Sequence, residues 1–225
     1  MVNEAHPEVA TSAALDVGDE RAVEQIVVDT IAASGRIDVF VSNAGYGLRG
    51  GLDLPTDEWQ RMMNVHTWSH LYAARAVIPG MIEQGGGYLL NTASAAGLLT
   101  QMDSGPYAVS KHAAVAFAEW VLINHGDQGI GVSVLCPQAV RTNILGPRAL
   151  EKASNAPVSE AARQAAGDGI LEPDDVAQTC LEAIREERFL VLPHPEVATY
   201  FERKANDYDR WLRGMRRFRA RLVGA

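Results

Sequence analysis

Two hydrophobic patterns alternate along this chain. Short apolar runs predict β-strands at residues 9–15, 37–42, 87–92, 130–136 and 188–193. Segments typical of helices lie between and after them, at residues 19–34, 57–84, 106–124, from 172 onward, and 196–222. Because strands that alternate with helices form parallel sheets with crossover helices, the pattern predicts an α/β fold.

Local signals refine some of these helices. Thr56 is the predicted N-cap of the helix at 57–84, and the acidic Asp57 and Glu58 suit its first turn. A break or bend is expected in that helix near residues 79–80, where proline precedes glycine. Pro106 opens the following helix. Four alanines give that helix a smooth surface that another helix can approach closely: Ala113, Ala114, Ala116 and Ala118.

The tail at residues 196–222 differs from the rest of the chain in charge. Residues 201–225 contain eight basic and three acidic side chains, a net charge of +5, so the remainder of a chain of net charge −8 carries −13. Seven apolar residues recur at intervals of three, four or seven and predict one long amphipathic helix: Val197, Phe201, Tyr208, Trp211, Met215, Phe218 and Leu222. Such a helix either binds nucleic acid or an anionic membrane, or packs on the body or another subunit. The second interpretation is favoured, because an apolar seam needs a partner surface and the acidic body supplies an electrostatic one.

Composition limits the class of protein. A chain of 225 residues with 47% hydrophobic and 21% charged residues is expected to form one globular domain over residues 1–225. The negative net charge argues against nucleic acid as a partner, and no apolar run is long enough to cross a membrane. No signal peptide is visible, and Cys136 and Cys180 lie in apolar surroundings. Two free thiols in a reducing cytoplasm are therefore expected.

Two motifs lack the context that their usual function requires. Residues 45–50 match the spacing of a dinucleotide-binding glycine loop, but a true loop runs straight into a helix whose N-terminus receives the pyrophosphate. Here residues 51–55 intervene, so Gly45 is expected only to let the backbone approach a cofactor. His66 and His70 have the spacing of some metal sites, but no third ligand is evident and no metal is expected.

A hydroxyl, a phenol and an ammonium are predicted to meet beyond the strand at 87–92. Ser94 follows the end of that strand, and Tyr107 and Lys111 are four residues apart on one face of the next helix. A lysine cation beside a tyrosine favours the phenolate and lowers its pKa from about 10. Tyr107 can then exchange a proton with a carbonyl or alcohol oxygen that Ser94 holds by a hydrogen bond. This is the acid–base half of a hydride transfer in which a nicotinamide carries the hydride.

Several motifs of this chain resemble those of the short-chain dehydrogenase/reductase family. The family's catalytic tetrad of Asn, Ser, Tyr and Lys matches Asn64, Ser94, Tyr107 and Lys111. Its Asn-Ala-Gly after the fourth strand matches Asn43, Ala44 and Gly45, and its adenine-contacting pair matches Asp16 and Val17. Its Pro-Gly-x-Val-x-Thr segment, which contacts the nicotinamide, matches residues 137–142, with Gln138 in place of the glycine.

The resemblance implies a Rossmann-like doubly wound parallel sheet and an oxidoreductase that interconverts a secondary alcohol and a carbonyl with NAD or NADP. The implied catalytic residues are the four of the tetrad, with an opening of the helix backbone or a structural water at Asn64 near Lys111. The implied cofactor contacts are Asp16, Val17, Asn43, Ala44, Gly45, Tyr107, Lys111, Pro137, Val140 and Thr142. A substrate lid at residues 143–170, suited to a small and lipophilic substrate, and a homodimer or homotetramer built on the helices at 57–84 and 106–124 are also implied.

One part of the family pattern has no counterpart in this sequence. In the family a strand and a Gly-x-x-x-Gly-x-Gly turn precede the adenine aspartate, whereas Asp16 lies near the start here. The sheet is therefore expected to lack its first βαβ portion, and the chain as written to bind NAD(H) and NADP(H) poorly. A non-catalytic binding or scaffold protein that has lost its cofactor cradle is the alternative function. The intact set of Ser94, Tyr107 and Lys111 favours the enzyme.

Overall fold

The computed structural model describes residues 9–145 and 168–222. They form an α/β fold around four parallel strands, which pair in the order β1 (Val39–Ser42), β2 (Gly87–Thr92), β3 (Ile130–Leu135) and β4 (Leu190–Val191). Each strand pairs with the next one along the chain, and helices connect them. The predicted parallel sheet with crossover helices is confirmed.

The helices of the described residues are α1 (Glu20–Ser34), α2 (Thr56–Met63), α3 (Ser69–Glu83), α4 (Ala96–Leu99), α5 (Gly105–His125), α6 (Pro173–Arg185), α7 (Glu196–Asn206) and α8 (Tyr208–Leu222). Local chemistry fixes several of their ends. The Asp19 carboxylate accepts a hydrogen bond from the Arg21 N–H at 2.9 Å and caps α1. Gly35, at φ 85°, ends the same helix in the left-handed conformation that glycine adopts without strain. A proline in the first turn begins α5, as predicted, and Pro173 begins α6 in the same way.

The predicted strand at residues 9–15 is wrong, because this segment forms no strand and leaves Val9 and Leu15 exposed. Within the described residues β1 pairs only with β2, so the segment has no strand partner. The strand predicted at 37–42 was expected to be buried. β1 instead exposes the side chains of Val39 and Val41, which point to the same face of this strand at one edge of the described sheet.

The segment predicted as one helix at 57–84 is α2 and α3 joined by a π-helical turn, Asn64–Trp68. There the Ser69 N–H donates to the carbonyl of Asn64, five residues earlier, which is the wide spacing of a π-helix. The predicted break near 79–80 is wrong, since α3 continues through Pro79 with that residue on its exposed side, while the alternative of a bend there stays a prediction. The predicted N-cap moves by one residue, because Pro55 precedes a helix that already includes Thr56.

Two apolar clusters lie on opposite faces of the sheet. Leu89 and Leu90 are successive residues of β2, so their side chains point to opposite faces, and they belong to different clusters. The larger cluster packs α3 and α5 against the sheet and fully buries Ala114 and Ala118. These two alanines, expected to form a smooth surface for a partner helix, therefore pack inside their own chain.

The two cysteines of the chain lie in different clusters. Cys136, just after β3, is completely buried in the larger cluster, and Cys180 of α6 is buried in the smaller one. Both are free thiols, as the sequence predicts.

The tail is two helices instead of the single helix predicted at 196–222. Asp207 has an extended conformation that ends α7, and its carboxylate accepts a hydrogen bond from the Arg210 N–H at 2.9 Å, which caps α8. Helix α8 packs against α7. Among the described residues, no helix combines the length and apolar character needed to cross a membrane. Most of the predicted substrate lid, residues 146–167, lies outside the described residues.

Candidate active site

The candidate site lies at the C-terminal ends of β1, β2 and β3, the edge at which open parallel sheets bind ligands. Asn43 follows β1, and its side-chain oxygen accepts a hydrogen bond from Thr92 Oγ1 at 3.0 Å, at the end of β2. Pro137 follows β3, and its carbonyl accepts a hydrogen bond from the Ala95 N–H at 2.8 Å. These bonds hold the three strand ends together.

Helix α5 brings Tyr107 and Lys111 to this edge. Lys111 is only 2% exposed, and its ammonium donates to the Thr92 carbonyl at 2.8 Å. The same ammonium lies 5.8 Å from the centre of the Tyr107 ring. The close packing of α4 on α5 needs Gly97, because a Cβ at that position would come within 2.5 Å of the Lys111 carbonyl.

Ser94 completes this group of three side chains. Its hydroxyl accepts a hydrogen bond from the Ala96 N–H at 3.1 Å and donates to the Pro137 carbonyl at 3.4 Å. It also interacts with the Tyr107 phenol, which lowers the pKa of that phenol. The structure therefore brings together the hydroxyl, phenol and ammonium that the spacing predicts.

Burial, more than the neighbouring cation, controls the ionisation of Tyr107. Burial raises the pKa of its phenol above the usual value of 10, by more than the contact with Ser94 lowers it. Sequence reasoning expected the Lys111 cation to lower this pKa, but that ammonium is hydrogen-bonded to the Thr92 carbonyl. Burial also lowers the pKa of Lys111 to about 8 and raises the pKa of the nearby Cys136 thiol to about 12. At neutral pH, Tyr107 and Cys136 are thus protonated and neutral.

Asn64 stands at the start of the π-helical turn. Its carbonyl accepts the wide-turn hydrogen bond from Ser69, and its side chain lies near Gly18. Sequence reasoning expected a structural water or an opening of the helix backbone here, near Lys111. The helix widens at Asn64, but a connection from Asn64 to Lys111 stays a prediction. The hydrogen bond of the Lys111 ammonium goes to Thr92.

A cleft of about 390 Å³ lies between the segment that precedes α1, the loop after β1, and α2 with the π-helical turn. It is lined by four of the predicted cofactor-binding residues and by four others: Asp16, Val17, Ala44 and Gly45, with Leu15, Tyr46, Arg61 and Val65. Asp16 accepts hydrogen bonds from the Gly18 N–H and from Arg61, both at 2.8 Å. The bond from Arg61 is the main cause of a lowered pKa at Asp16. Sequence reasoning missed Arg61, which is 45 residues away in the chain.

Residues 137–142 run beyond β3 and contact the start of α6. Val140 forms an isolated parallel bridge with Leu171. Gln138, which replaces the family's glycine, donates through Nε2 to Asp168 at 2.7 Å, and Tyr200 donates to the same carboxylate at 3.0 Å. The Gln138 side chain therefore connects this segment to α7, a contact that a glycine could not make.

Sequence reasoning also missed the part played by His66. This residue is fully buried in the π-helical turn, with its ring centre 5.4 Å from both Tyr46 and Tyr107. Burial lowers the pKa of His66 to about 2. Sequence reasoning considered only a metal role for its spacing to His70 and rejected that role because no third ligand was evident. Within residues 9–145 and 168–222, no cluster of three or more His, Cys, Asp or Glu is suited to a metal. A wide turn could not be read from the sequence, so no spacing rule would have found this contact.

The described residues fit the two ends of a dinucleotide better than its centre. A Cβ at Gly45 would lie 3.2 Å from His66 Nε2 and 3.8 Å from Lys111 Nζ, so glycine leaves open the space between the cleft and Lys111. Gly45 thus borders both the cleft and the surroundings of Lys111. No glycine turn that leads directly from a strand into a helix occurs in the described ranges, so the pyrophosphate is the part without a described cradle.

Residues 2–153 match the family model of the short chain dehydrogenases. A curated relative, the 1-deoxy-11-beta-hydroxypentalenate dehydrogenase of Streptomyces avermitilis, is 30% identical over 212 residues, which cover 92% of this chain and 74% of that protein. An uncharacterised NAD-dependent oxidoreductase of Mycobacterium tuberculosis is 34% identical over 138 residues, which cover 60% of this chain and 50% of that protein. The matched part therefore spans 74% of the length of the first relative and 50% of the length of the second.

A solved structure is similar over most of the described fold. It is a short chain dehydrogenase/reductase from Burkholderia phymatum in complex with NAD, with a TM-score of 0.80 and 28% sequence identity. The match covers 92% of this chain and 79% of that one.

Proposed function

The chain belongs to the short-chain dehydrogenase/reductase family, and on this premise we propose that it interconverts a secondary alcohol and a carbonyl with Tyr107 as the acid and base. Membership makes it an oxidoreductase that acts on CH–OH groups. The observation that supports the proposed mechanism is the meeting of Ser94, Tyr107 and Lys111 at the C-terminal edge of the sheet.

Each of the three side chains has a separate part in the proposal. Ser94 holds the substrate oxygen by a hydrogen bond. Tyr107 donates its phenolic proton to that oxygen during reduction and takes the proton back during oxidation. Lys111, with a pKa of about 8, is mostly protonated at neutral pH and favours the phenolate that reduction leaves behind. Because burial raises the pKa of Tyr107, the free site holds the acid form that reduction requires.

The cofactor of the proposal is NAD or NADP, which supplies or accepts the hydride when bound. The relative named as NAD-dependent and the similar structure in complex with NAD support this choice. Asp16, Val17 and Ala44 would hold the adenosine end in the cleft. Because Gly45 has no side chain, it would leave room for the cofactor to continue towards Lys111. The nicotinamide end would lie near a second group of residues: Asn43, Tyr107, Lys111, Pro137, Val140 and Thr142.

The test of the proposal is Tyr107→Phe, which removes the phenolic proton and keeps the ring. We expect turnover of a panel of secondary alcohols and ketones, followed by nicotinamide absorbance, to fall by about 100-fold or more. The thermal unfolding midpoint should stay near that of the wild type. Tyr88→Phe is the matched control, because it removes a phenol that bonds Ser133 at 2.8 Å inside the sheet, away from the site. Retention of more than about a tenth of the wild-type activity by Tyr107→Phe would contradict the assignment.

We also propose a homodimer that buries the outer face of α5. Val109, Ala113, Ala116, Trp120 and Ile123 follow one another at intervals of four and three, so they share one side of the helix. Trp120 is 55% exposed and Ile123 is 81% exposed, which is unusual for two large apolar side chains on one face. A second copy of the chain would cover this face in a two-fold arrangement.

A further inference from the structure

A chain of three hydrogen bonds, two of them made by His66, leads from the loop after β1 to the turn of α5 that carries Tyr107. The Tyr46 N–H donates to His66 Nε2 at 3.0 Å. His66 Nδ1 and Ser110 Oγ are 3.1 Å apart, and the Ser110 hydroxyl donates to the Tyr107 carbonyl at 3.0 Å. The imidazole is 0% exposed, so water does not compete for these bonds.

The direction of each bond follows from its donors. A backbone N–H can only donate, so His66 Nε2 must accept from Tyr46 through its lone pair. The Ser110 hydroxyl gives its one hydrogen to the Tyr107 carbonyl, so its oxygen must accept from His66. The proton of the imidazole is therefore on Nδ1, and a single tautomer satisfies all three contacts.

We propose that His66 is a positioning residue, which as the neutral Nδ1–H tautomer holds the loop of Asn43–Ala44–Gly45–Tyr46 in register with the turn of α5 that carries Tyr107 and Lys111. The π-helical turn supports this by directing two successive residues at α5, since Thr67 Oγ1 also donates to the Ser110 carbonyl at 3.0 Å. The hydrogen-bonded link itself is independent of the reaction, and only its effect on catalysis rests on the proposed function.

A second proton on His66 would break the link. It would place an N–H at Nε2 against the N–H of Tyr46, two donors with no acceptor between them. The ionisable groups around the ring oppose that proton, since Lys111 and His70 disfavour a charge at His66 and the phenols of Tyr46 and Tyr107 supply no negative charge at neutral pH. The link is thus expected to persist across the whole range in which ordinary histidines titrate.

The first test uses the wild-type protein without cofactor. In nitrogen-15 spectra of the labelled protein, His66 should show the Nδ1–H tautomer and no titration between pH 5 and 8. A midpoint near 6.5, or the opposite tautomer, would overturn the inference.

The second test follows hydrogen exchange of single amides. His66→Phe should speed exchange of the Tyr46 amide by about tenfold or more, because the acceptor is gone. The Gly50 amide, which bonds the Asp103 carbonyl at 3.0 Å in the same loop, should change by less than about twofold. His70→Gln is the matched control. It replaces another buried histidine of the same helical region and should leave the exchange rate of the Tyr46 amide unchanged. Equal exchange of Tyr46 in wild type and His66→Phe would refute the link.

The third test measures the effect on the reaction. His66→Phe should lower kcat by about ten- to a hundredfold with a smaller change in KM, because Tyr107 is displaced while the binding surfaces remain. His66→Gln, which has both an acceptor and a donor, should restore much of this loss. The kcat of the double variant His66→Phe/Ser110→Ala should be within about twofold of that of the worse single variant, since both changes break the same series of hydrogen bonds. Independent, additive losses, or no rescue by glutamine, would argue against positioning.

These results separate the link from the proposed function. If Tyr107→Phe remains active while His66 shows the expected tautomer and exchange, the assigned chemistry fails and the link stands. If Tyr107→Phe is inactive and the Tyr46 amide is unaffected by His66→Phe, the function stands and the link fails.

Discussion

His66 and His70 show how strongly burial controls single side chains in this protein. They lie one helical turn apart and are nearly inaccessible to water. Burial lowers the pKa of His66 to about 2 and of His70 to about 3, and the positive charge of Lys111 contributes further to both. In the unfolded chain both side chains titrate near 6.5. The two states of the protein therefore bind different numbers of protons over a wide range of pH.

This difference predicts a loss of stability in mild acid. Below pH 6.5 the unfolded chain takes up protons at His66 and His70 that the folded chain does not, so the free energy of unfolding falls as the pH is lowered from about 6.5 towards 3. Each histidine contributes up to about 1.4 kcal/mol per pH unit. The Arg61 contact lowers the pKa of Asp16 below 3.8, so protonation of Asp16 lowers the free energy of unfolding only at still lower pH. Urea unfolding at several pH values between 7.5 and 4.5 measures the slope.

His70→Gln is the test variant for this dependence of stability on pH, and His125→Gln is its control. His70→Gln removes one of the two groups and should reduce the slope by about 1.4 kcal/mol per pH unit at most. His125 lies at the end of α5, where its ring contacts the Gln128 side chain at 2.7 Å near the surface. A slope that His70→Gln leaves unchanged would mean that burial does not hold this histidine neutral.

At the scale of elements, Lys204 joins the tail to α4 and α5. This residue of α7 is 6% exposed, and its ammonium donates to the Leu98 carbonyl of α4 and lies 3.5 Å from His112 Nε2 of α5. His112 Nδ1 is 2.8 Å from the Ala108 carbonyl and so carries the proton, which leaves Nε2 as the acceptor for Lys204. One side chain thus connects α7, α4 and α5.

Replacing Lys204 should therefore loosen more than the tail. Lys204→Met keeps most of the side-chain volume but leaves the Leu98 carbonyl and His112 Nε2 without their donor, which costs about 1–3 kcal/mol. The thermal midpoint should fall by about 2–4 °C for each kcal/mol lost. Arg203→Met, an exposed position on the same turn, is the control and should change the midpoint little. Equal midpoints for both variants would show that the Lys204 contacts add no net stability.

The elements that could be predicted are those whose signals are local. Helix α1 has its capping aspartate at one end and its glycine at the other, and β2 and β3 have apolar runs between turns. The errors come from distant partners. Residues 9–15 have the composition of a strand but no neighbouring strand in the described chain, and Asp207 divides a continuous apolar seam by capping a new helix. Neither effect changes the spacing of the apolar residues, which is the signal that predicts strands and helices from sequence.

The site divides in the same way. Tyr107 and Lys111 could be placed together because four residues on a helix fix their relation, and Ser94 because it follows a strand. The roles of His66 and Arg61 depend on a π-helical turn and on a contact 45 residues away in the chain, which spacing does not encode. The expected effect of Lys111 on Tyr107 differed because the degree of burial appears only in the fold.

At the scale of the whole molecule, the exposed apolar outer face of α5 predicts that the protein forms a homodimer. Trp120→Glu and Ile123→Glu place a charge in the proposed dimer interface, where it would have no partner. We expect light scattering at micromolar concentration to report half the wild-type mass for each variant.

Leu181→Glu is the matched control, because Leu181 is 49% exposed on α6, away from this face, and its variant should keep the wild-type mass. Ala114 and Ala118 are unsuitable test positions, since larger side chains there would disrupt the core of the chain itself. A wild-type monomer, or a dimer that survives both charged variants, would rule out this interface.

The separate burial of the two cysteines makes each face of the sheet report its own opening rate. Cys136 is 0% exposed and Cys180 is 7% exposed, so a thiol reagent in excess reacts with each thiol mainly when the surrounding cluster opens, and the reaction rate reports that opening. Cys180 of α6 lies in the smaller cluster with Val191 of the two-residue strand β4, and Cys136 lies in the larger cluster. We expect Cys180 to react about tenfold faster or more, and Cys180→Ala to remove only the fast phase. A single shared rate would mean instead that both faces open together, in one cooperative event.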